Sequence, residues 1–247
     1  MIAAAIHNGN NLRPEVAELM SLSESERLQE EDPFTAEWAA IADTRIIGLH
    51  SRFEVDLNRP RDKAVYIHPE DAWGLKMWKT ELSSEIIERS REAYDAFYSE
   101  VMHVLKNAER SFGHFVVLDI HSYNHVREGQ GGAVADPDLN PEVNIGTGTM
   151  EREPWAPLVE RFIADLQDFD FLGRHLDVRE NVRFRGGNFP RWIHEQFPET
   201  GCALAIEIKK IFMDEWTGTP DPLYIQTIYE ALKSTVPGIL EELSNLR

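Results

Sequence analysis

Four stretches of this chain set a reactive side chain at or near the end of an apolar run. His7 follows Ile2–Ile6, Asn58-Arg59 follows Phe53–Leu57, His121 follows Phe115–Ile120, and Glu207 lies within Cys202–Ile208. Histidine serves as a metal ligand or a proton carrier, and arginine pairs carboxylates through a planar fork. Two histidines with one carboxylate form the usual ligand set of a catalytic zinc, which keeps one coordination place for water. If these run ends share one side of a sheet, two imidazoles, a guanidinium and a carboxylate converge there. Spacing alone does not supply the carboxylate ligand, because a His-x-x-Glu pair is missing: Asn10 stands three residues after His7. Each residue also has a plainer reading. A histidine can cap a strand, Glu207 can pair with Lys209 or Arg59, and Arg52 and Arg59 can neutralise Glu54, Asp56 and Asp62.

Positioning such groups requires strands, and the pattern supplies them. Phe115–Ile120 is short, apolar and rich in β-branched residues, as expected of a strand covered on both faces. His121 then falls where a strand meets its loop, the place where open α/β sheets bind ligands. Asp119 alternates with His121 on one strand face, either as an acceptor that orients the imidazole or as part of a buried polar cluster. Ile2–Ile6, Thr44–His50, Phe53–Leu57 and Cys202–Ile208 also read as strands, with Val143–Met150 and His175–Val182 as further extended segments. Between them the sequence predicts helices. One begins at Pro14 and runs through Met20, a second carries the capping-box pair Ser23 and Glu26, and Asp32-Pro33 opens a third through Ala42. A long amphipathic helix spans Ser83–Lys106, others cover Trp155–Phe169 and Pro190–Gln196, and Asp221-Pro222 caps a last one towards Leu246. Glu128–Asp138 reads as a glycine-rich loop. Strands alternate with helices and no interdomain linker intervenes, so one α/β/α layer domain over residues 1–247 around a mixed sheet is expected.

Charge narrows the partners. Lys and Arg total 25 against 43 Asp and Glu, a net charge of −18. Nucleic acids and anionic membranes both require basic surface, so neither is an expected partner. Cys202 is the only cysteine, which excludes an intramolecular disulfide and a thiolate metal cluster. The apolar start Met1–Ile6 is too short for a secretory signal and lacks a basic segment, and no apolar run reaches a membrane span. A soluble, cytoplasmic protein is the expectation.

His121-Ser122-Tyr123 after an apolar strand, Val55-Asp56-Leu57-Asn58-Arg59, and Ile206-Glu207-Ile208-Lys209 resemble landmarks of the zinc carboxypeptidase superfold. More closely, His7-x-Gly9 with Pro14, Asp32, Ser51-Arg52-x-x-x-Asp56-Leu57-Asn58-Arg59 and Asp119-x-His121-Ser122 resemble the N-formylglutamate amidohydrolase family, in order over residues from about 6 to 216. Glu128–Asp138 and Asn144–Glu151 match nothing in that pattern. The resemblance implies a three-layer α/β/α fold with a mixed central sheet, phosphorylase/hydrolase-like as in zinc carboxypeptidases. It also implies one Zn2+ per chain and a small acidic N-acyl amino acid or short peptide as substrate. It makes His7, Asp32 and His121 the metal ligands, with Glu31 as the rival carboxylate and a plain helix cap as the alternative for Asp32. Glu207 would be the general base. Asn58 and Arg59 would hold the substrate carboxylate, and Arg52 would polarise the scissile carbonyl or share that carboxylate. Arg185, beside Gly186-Gly187, would add a second anionic contact or simply occupy a turn. The implied reaction is hydrolysis of an amide C–N bond. A metallocarboxypeptidase acting on a glutamyl peptide is the alternative, and a ligand-binding relative without activity is the non-enzymatic one.

Overall fold

The computed structural model describes residues 1–246, built around a six-stranded sheet in the order β2-β1-β3-β6-β4-β5. The strands are β1 (Ile2–Ala5), β2 (Thr44–Ile47), β3 (Phe115–Tyr123), β4 (Val143–Gly146), β5 (Val178–Glu180) and β6 (Gly201–Lys209). Strands β2, β1, β3 and β6 run parallel. Strand β4 lies antiparallel to β6 and parallel to β5, which makes the sheet mixed. The central pair is continuous in register from Phe115↔Gly201 to Tyr123↔Lys209.

Helices cover both faces, so β3 and β6 are buried along nearly their whole length, and apolar except towards their C-terminal ends. On one face Val116, Leu118 and Ile120 of β3 and Leu204 and Ile206 of β6 pack under α3 (Thr35–Trp38), α5 (Ala156–Asp168), α7 (Pro222–Ser234) and α8 (Val236–Asn245). On the other, Val117 and Ala203 meet Tyr98, Val101 and Leu105 of α4 (Ser84–Phe112) and Phe189 and Ile193 of α6 (Asn188–Gln196). The result is the expected three-layer α/β/α arrangement. A short helix, α1 (Pro14–Leu19), joins a third apolar cluster that includes Val16, Phe53, Tyr66, Met77 and Trp78, while α2 (Glu24–Glu30) sets Leu28 against the first. Among the described residues no helix is long and apolar enough to cross a membrane.

Several expected boundaries move. The Ser23–Glu26 capping box is present as read, but Phe53–Leu57 forms turns, not a strand. All five residues are buried: Val55 and Leu57 pack against α4 and α6, while Glu54 and Asp56 are bound by Arg13 and Arg52. The helix after Asp32-Pro33 starts only at Thr35, so Asp32 is no N-cap: its carbonyl accepts the Thr35 hydroxyl, and its carboxylate points elsewhere. The long helix extends to Phe112, and the C-terminal helix breaks into α7 and α8 at Thr235.

Because β4 reaches only as far as Ala205 on β6, the first residues of β6 lack a neighbour on that side. His194 of α6 fills part of the gap, its Nε2 accepting the Ala203 N–H at 2.9 Å while Nδ1 sits 3.0 Å from Thr149 Oγ1. That bond needs a neutral ring with the proton on Nδ1. Burial pushes the imidazole down to about 4. The unfolded chain therefore binds more protons between about pH 6.5 and that value, and stability falls as pH drops through this window. Denaturation between pH 7 and 4 should show a loss of up to about 3 kcal/mol attributable to this group, absent in His194→Gln. An identical pH dependence in the variant would contradict the assignment.

Candidate active site

Parallel strands deliver their C-terminal ends to one rim of the sheet, and the reactive groups gather there. Within β3 and β6, His121 and Glu207 are register partners, so their side chains stand on one face. His7 lies two residues beyond β1, in a turn whose backbone carbonyl accepts the Asp32 N–H at 3.0 Å. That bond brings the segment after α2 against the strand ends. Gly9 explains the His7-x-Gly9 spacing: a Cβ there would lie 2.2 Å from the Leu49 carbonyl carbon, so only glycine lets this turn pass the end of β2.

The nitrogens and carboxylate expected to bind a metal face one another. His121 Nδ1 is 2.9 Å from Asp32 Oδ2, and His7 Nδ1 is 3.5 Å from the same oxygen. One ligand atom from each of His7, Asp32 and His121 falls within 4.8 Å of the others, and all three residues are buried. Both rings have their second nitrogen against a carboxylate: His7 Nε2 is 2.7 Å from Asp56 Oδ1, and His121 Nε2 is 3.0 Å from Asp119 Oδ2. With a cation bound, such partners would keep the proton on Nε2 and turn the Nδ1 electron pair to the ion. Burial opposes ionisation of Asp32, but hydrogen bonds from His121 and His7 outweigh it and hold its carboxyl far below the usual range. Burial likewise works against a charged His121, yet Asp119, Asp32 and Glu207 raise it well above an ordinary histidine. Two ring nitrogens and an anion converging in a buried space make a donor set that fits a divalent cation such as zinc.

The rival carboxylate is turned away. Glu31 is bound by the Ser51 hydroxyl at 2.5 Å and lies 3.4 Å from Arg27 Nη1, facing the loop instead of the histidine pair. Lys210, fully buried, sends its ammonium to the carbonyls of Gln29 at 2.5 Å and Glu31 at 2.9 Å. Desolvation pulls that lysine down to about 8. It secures the C-terminal end of α2 and therefore the approach to Asp32.

Asp56, quoted within a motif above but given no role, is the hub on the other side. It takes the His7 ring, Arg52 Nη2 at 2.9 Å, the Asn58 backbone N–H at 2.8 Å and the Tyr66 hydroxyl. Burial opposes its charge, and Arg52 and His7 prevail, holding the carboxyl well below its ordinary value. The sequence signal was Arg52 four residues before an aspartate in a segment where charged and apolar residues interleave. Arg52 also donates to the Glu30 carbonyl at 3.0 Å and lies 5.0 Å from the centre of the Trp73 ring.

Around these groups is a cavity of about 230 Å³ lined by His7, Asp32, Arg52, Asn58, Arg59, Trp73, His121, Arg185 and Glu207, among others. Every residue assigned a site role by sequence thus lies on one cavity. Glu207 is partly open to it, and burial, reinforced by Asp32 and Asp119, pushes its carboxyl up to about 7 against the pull of His121 and His7. Among the described residues it forms no ion pair: Arg59 reaches towards Asp56, and the acids beside Lys209 are Glu142 and Asp177. Asn58 Oδ1 accepts the Phe189 N–H at 2.9 Å, which joins this wall to α6. Arg59 is more than a third exposed, stacks 5.5 Å from the Tyr66 ring centre and reaches Asp56 only at 3.8 Å. Arg185 is exposed at the rim, on a loop that Asn144 holds: its Nδ2 donates to the Phe184 carbonyl and its Oδ1 accepts the Arg183 N–H, each at 2.8 Å. Asn144 is the register partner of Glu207 across the antiparallel pair. No local pattern in the sequence could announce that pairing.

Comparison with known proteins follows the geometry. The chain is similar, at 17% identity and a TM-score of 0.75, to the crystal structure of N-formylglutamate amidohydrolase from Ralstonia eutropha JMP134, with 99% of this chain and 93% of that one covered. A gene product of Agrobacterium tumefaciens superposes with a TM-score of 0.65 at 17% identity, covering 97% of this chain and 91% of its own. At these identities both likenesses speak for the fold. No curated protein sequence matches the chain. A family model described as N-formylglutamate amidohydrolase matches residues 1–213. With that match over most of its length, this chain belongs to the N-formylglutamate amidohydrolase family, hydrolases of amide C–N bonds.

Proposed function

We propose that this protein is a zinc-dependent amidohydrolase that cleaves the C–N amide bond of a small acidic N-acyl amino acid such as N-formylglutamate. The observation that carries the reading is the convergence of His7 Nδ1, His121 Nδ1 and Asp32 on one buried point, with Glu207 in register beside His121. His7, Asp32 and His121 would hold the zinc, which when bound would supply Lewis acidity for the water and for the amide carbonyl. Glu207 takes the proton of the attacking water and returns it to the leaving nitrogen. Its carboxyl stands at about 7 in the metal-free protein, and the cation would favour the anion that accepts the proton. Arg52, fixed by Asp56 and the Glu30 carbonyl, is a stationary positive charge beside the scissile carbonyl. Asn58 and Arg59 hold the substrate carboxylate, and Arg185 at the rim meets a second anionic group. The cavity's guanidinium groups and modest volume support a small anionic substrate. With a net charge of −18, the surface favours neither nucleic acid nor anionic membrane, and the proposed setting is the cytoplasm.

The test is to incubate zinc-loaded protein with N-formyl-L-glutamate and quantify formate and free glutamate, alongside metal content by elemental analysis. About one zinc per chain and equal amounts of both products are expected. Release of a C-terminal residue from a glutamyl peptide without formate would replace the reading with a carboxypeptidase. A folded protein that takes up no metal and yields no product would leave a binding module. Substrate capture gives a second prediction. Arg59→Ala should raise KM about 10- to 100-fold, more than it lowers kcat, and Arg59→Lys should recover only part because the bidentate fork is lost. An unchanged KM in steady-state kinetics would remove Arg59 from substrate binding.

A further inference from the structure

Trp73 stands on the cavity wall with Arg52 and Arg59, and it is 46% exposed. Its backbone has φ 54° and ψ 23°, the left-handed region, where a bulky side chain is uncommon and glycine carries no penalty. The residue closes the short helical turn Pro69–Ala72, and helix ends of this left-handed kind usually employ glycine. Gly74 follows, also left-handed at φ 87°. Such backbone persists only where its surroundings hold it, and it gathers at ligand sites. The hold is visible here. Asp71 Oδ2 accepts the Ile67 and His68 N–H groups, each at 2.9 Å, and the Gly74 N–H donates to the Pro69 carbonyl at 2.8 Å. Arg59 Nη2 donates to the Asp71 carbonyl at 3.3 Å, which ties the turn to the cavity.

Core packing does not account for an indole at this position. Nearly half of the residue meets solvent, and among the described residues none of the three apolar clusters takes it in. Its neighbours are groups of the site. The Arg52 guanidinium carbon lies 5.0 Å from its ring centre, and the Tyr66 ring lies 6.2 Å away, edge to face. Tyr66 bonds Asp56 through its hydroxyl and carries the Arg59 guanidinium 5.5 Å from its own ring centre. The indole therefore stands between two guanidinium groups. In the reading above, Arg52 meets the scissile carbonyl and Arg59 the carboxylate. Between those two groups an N-acyl amino acid has its amide nitrogen and its α-carbon, with the first atoms of the side chain. Tyr123 and Phe184, the other aromatic rings of the lining, pair with each other at 5.3 Å, Tyr123 at the end of β3. Trp73 is thus the apolar surface that the Arg52–Arg59 wall offers.

We propose that Trp73 is a specificity-determining residue: its indole packs against the side-chain carbons next to the substrate's α-carbon and selects N-acyl amino acids with an aliphatic stem over those with a short side chain. The proposal rests on the amidohydrolase reading and deepens it. The guanidinium groups alone would grip the carboxylate of an N-acylglycine as readily as that of an N-acylglutamate, so a choice between them requires a surface that the stem can cover.

The test compares kcat/KM of the zinc-loaded protein on the N-formyl derivatives of glycine, alanine, 2-aminobutyrate and norvaline, whose uncharged side chains lengthen one carbon at a time. In the parent the value should rise about fourfold per carbon, the effect of burying a methylene. A rise of less than about twofold per carbon overturns the proposal. Trp73→Ala should flatten the series, as should Trp73→Gly, which suits the backbone there, and Trp73→Phe should restore part of the slope. A residue that merely supported the fold would lower all four values together, so a slope equal to the parent's in a variant lacking the ring overturns the assignment. The parent's own series needs no variant to fold. Turnover of N-formyl-L-glutamate but of none of the four also overturns the proposal, whereas no hydrolysis of any of the five rejects the hydrolase reading itself, so the two failures are distinct.

Discussion

Glu207→Gln is expected to keep its zinc and lose turnover by about 100- to 10,000-fold, the range that general acid–base groups contribute. Glutamine preserves shape and can still hydrogen-bond, but it cannot accept the proton of water. Glu207 is not one of the three converging donors, so elemental analysis should still find the metal. Substrate binding should hold as well, because the carboxylate-gripping residues sit on the opposite segment, at Asn58 and Arg59. The loss should therefore fall on kcat and on kcat/KM alike, as for an interaction made in the transition state. The pH profile adds a check. With Glu207 at about 7 in the metal-free protein, a nearby cation favours its anion and moves the value lower. Activity requires the anion, so the parent's rate falls as pH drops below that point, and this acidic limb should vanish in the variant. Equal rates in variant and parent would remove Glu207 from the mechanism.

His121→Ala is expected to lose metal and activity together. In the proposed centre the ring is one of three ligands, so its removal should lower zinc affinity more than about 100-fold, beyond the usual effect of losing an outer partner. It also strands two buried carboxylates, Asp32 and Asp119, each of which touches that ring. The variant should therefore be less stable than chelator-treated parent, a comparison available from urea titration of both. An unchanged zinc affinity would contradict the ligand assignment. Hydrolysis that persists in a metal-free variant would dissolve the proposed mechanism.

How much of this was legible beforehand depends on whether a feature is local. His121 and Glu207 could be found because each stands in or after a run that burial on both faces makes apolar, and the strand period then fixes the face. Asp32 was ambiguous because Asp-Pro before a helix is also an ordinary cap. Only the backbone bond from Asp32 to His7 decides that the carboxylate turns inward. Phe53–Leu57 misled because a buried, hydrogen-bonded turn segment can be as rich in apolar residues as a strand. Asp56 was missed for the same reason, since its partners His7 and Tyr66 come from other segments and meet only in the fold. Asn144 depended on antiparallel register with β6, which joins residues far apart in order.

Lys210 links these parts in a way that bears on engineering. Its ammonium pins the carbonyls of Gln29 and Glu31, one residue from Asp32, while its own backbone continues the strand that carries Glu207 three residues earlier. The proposed base Glu207 and the proposed ligand Asp32 thus hang from one brace. A local opening at this corner would carry both away together, so partial fraying should abolish catalysis in a single step. Any transplant of this centre into another scaffold would have to carry that lysine along with the two acids.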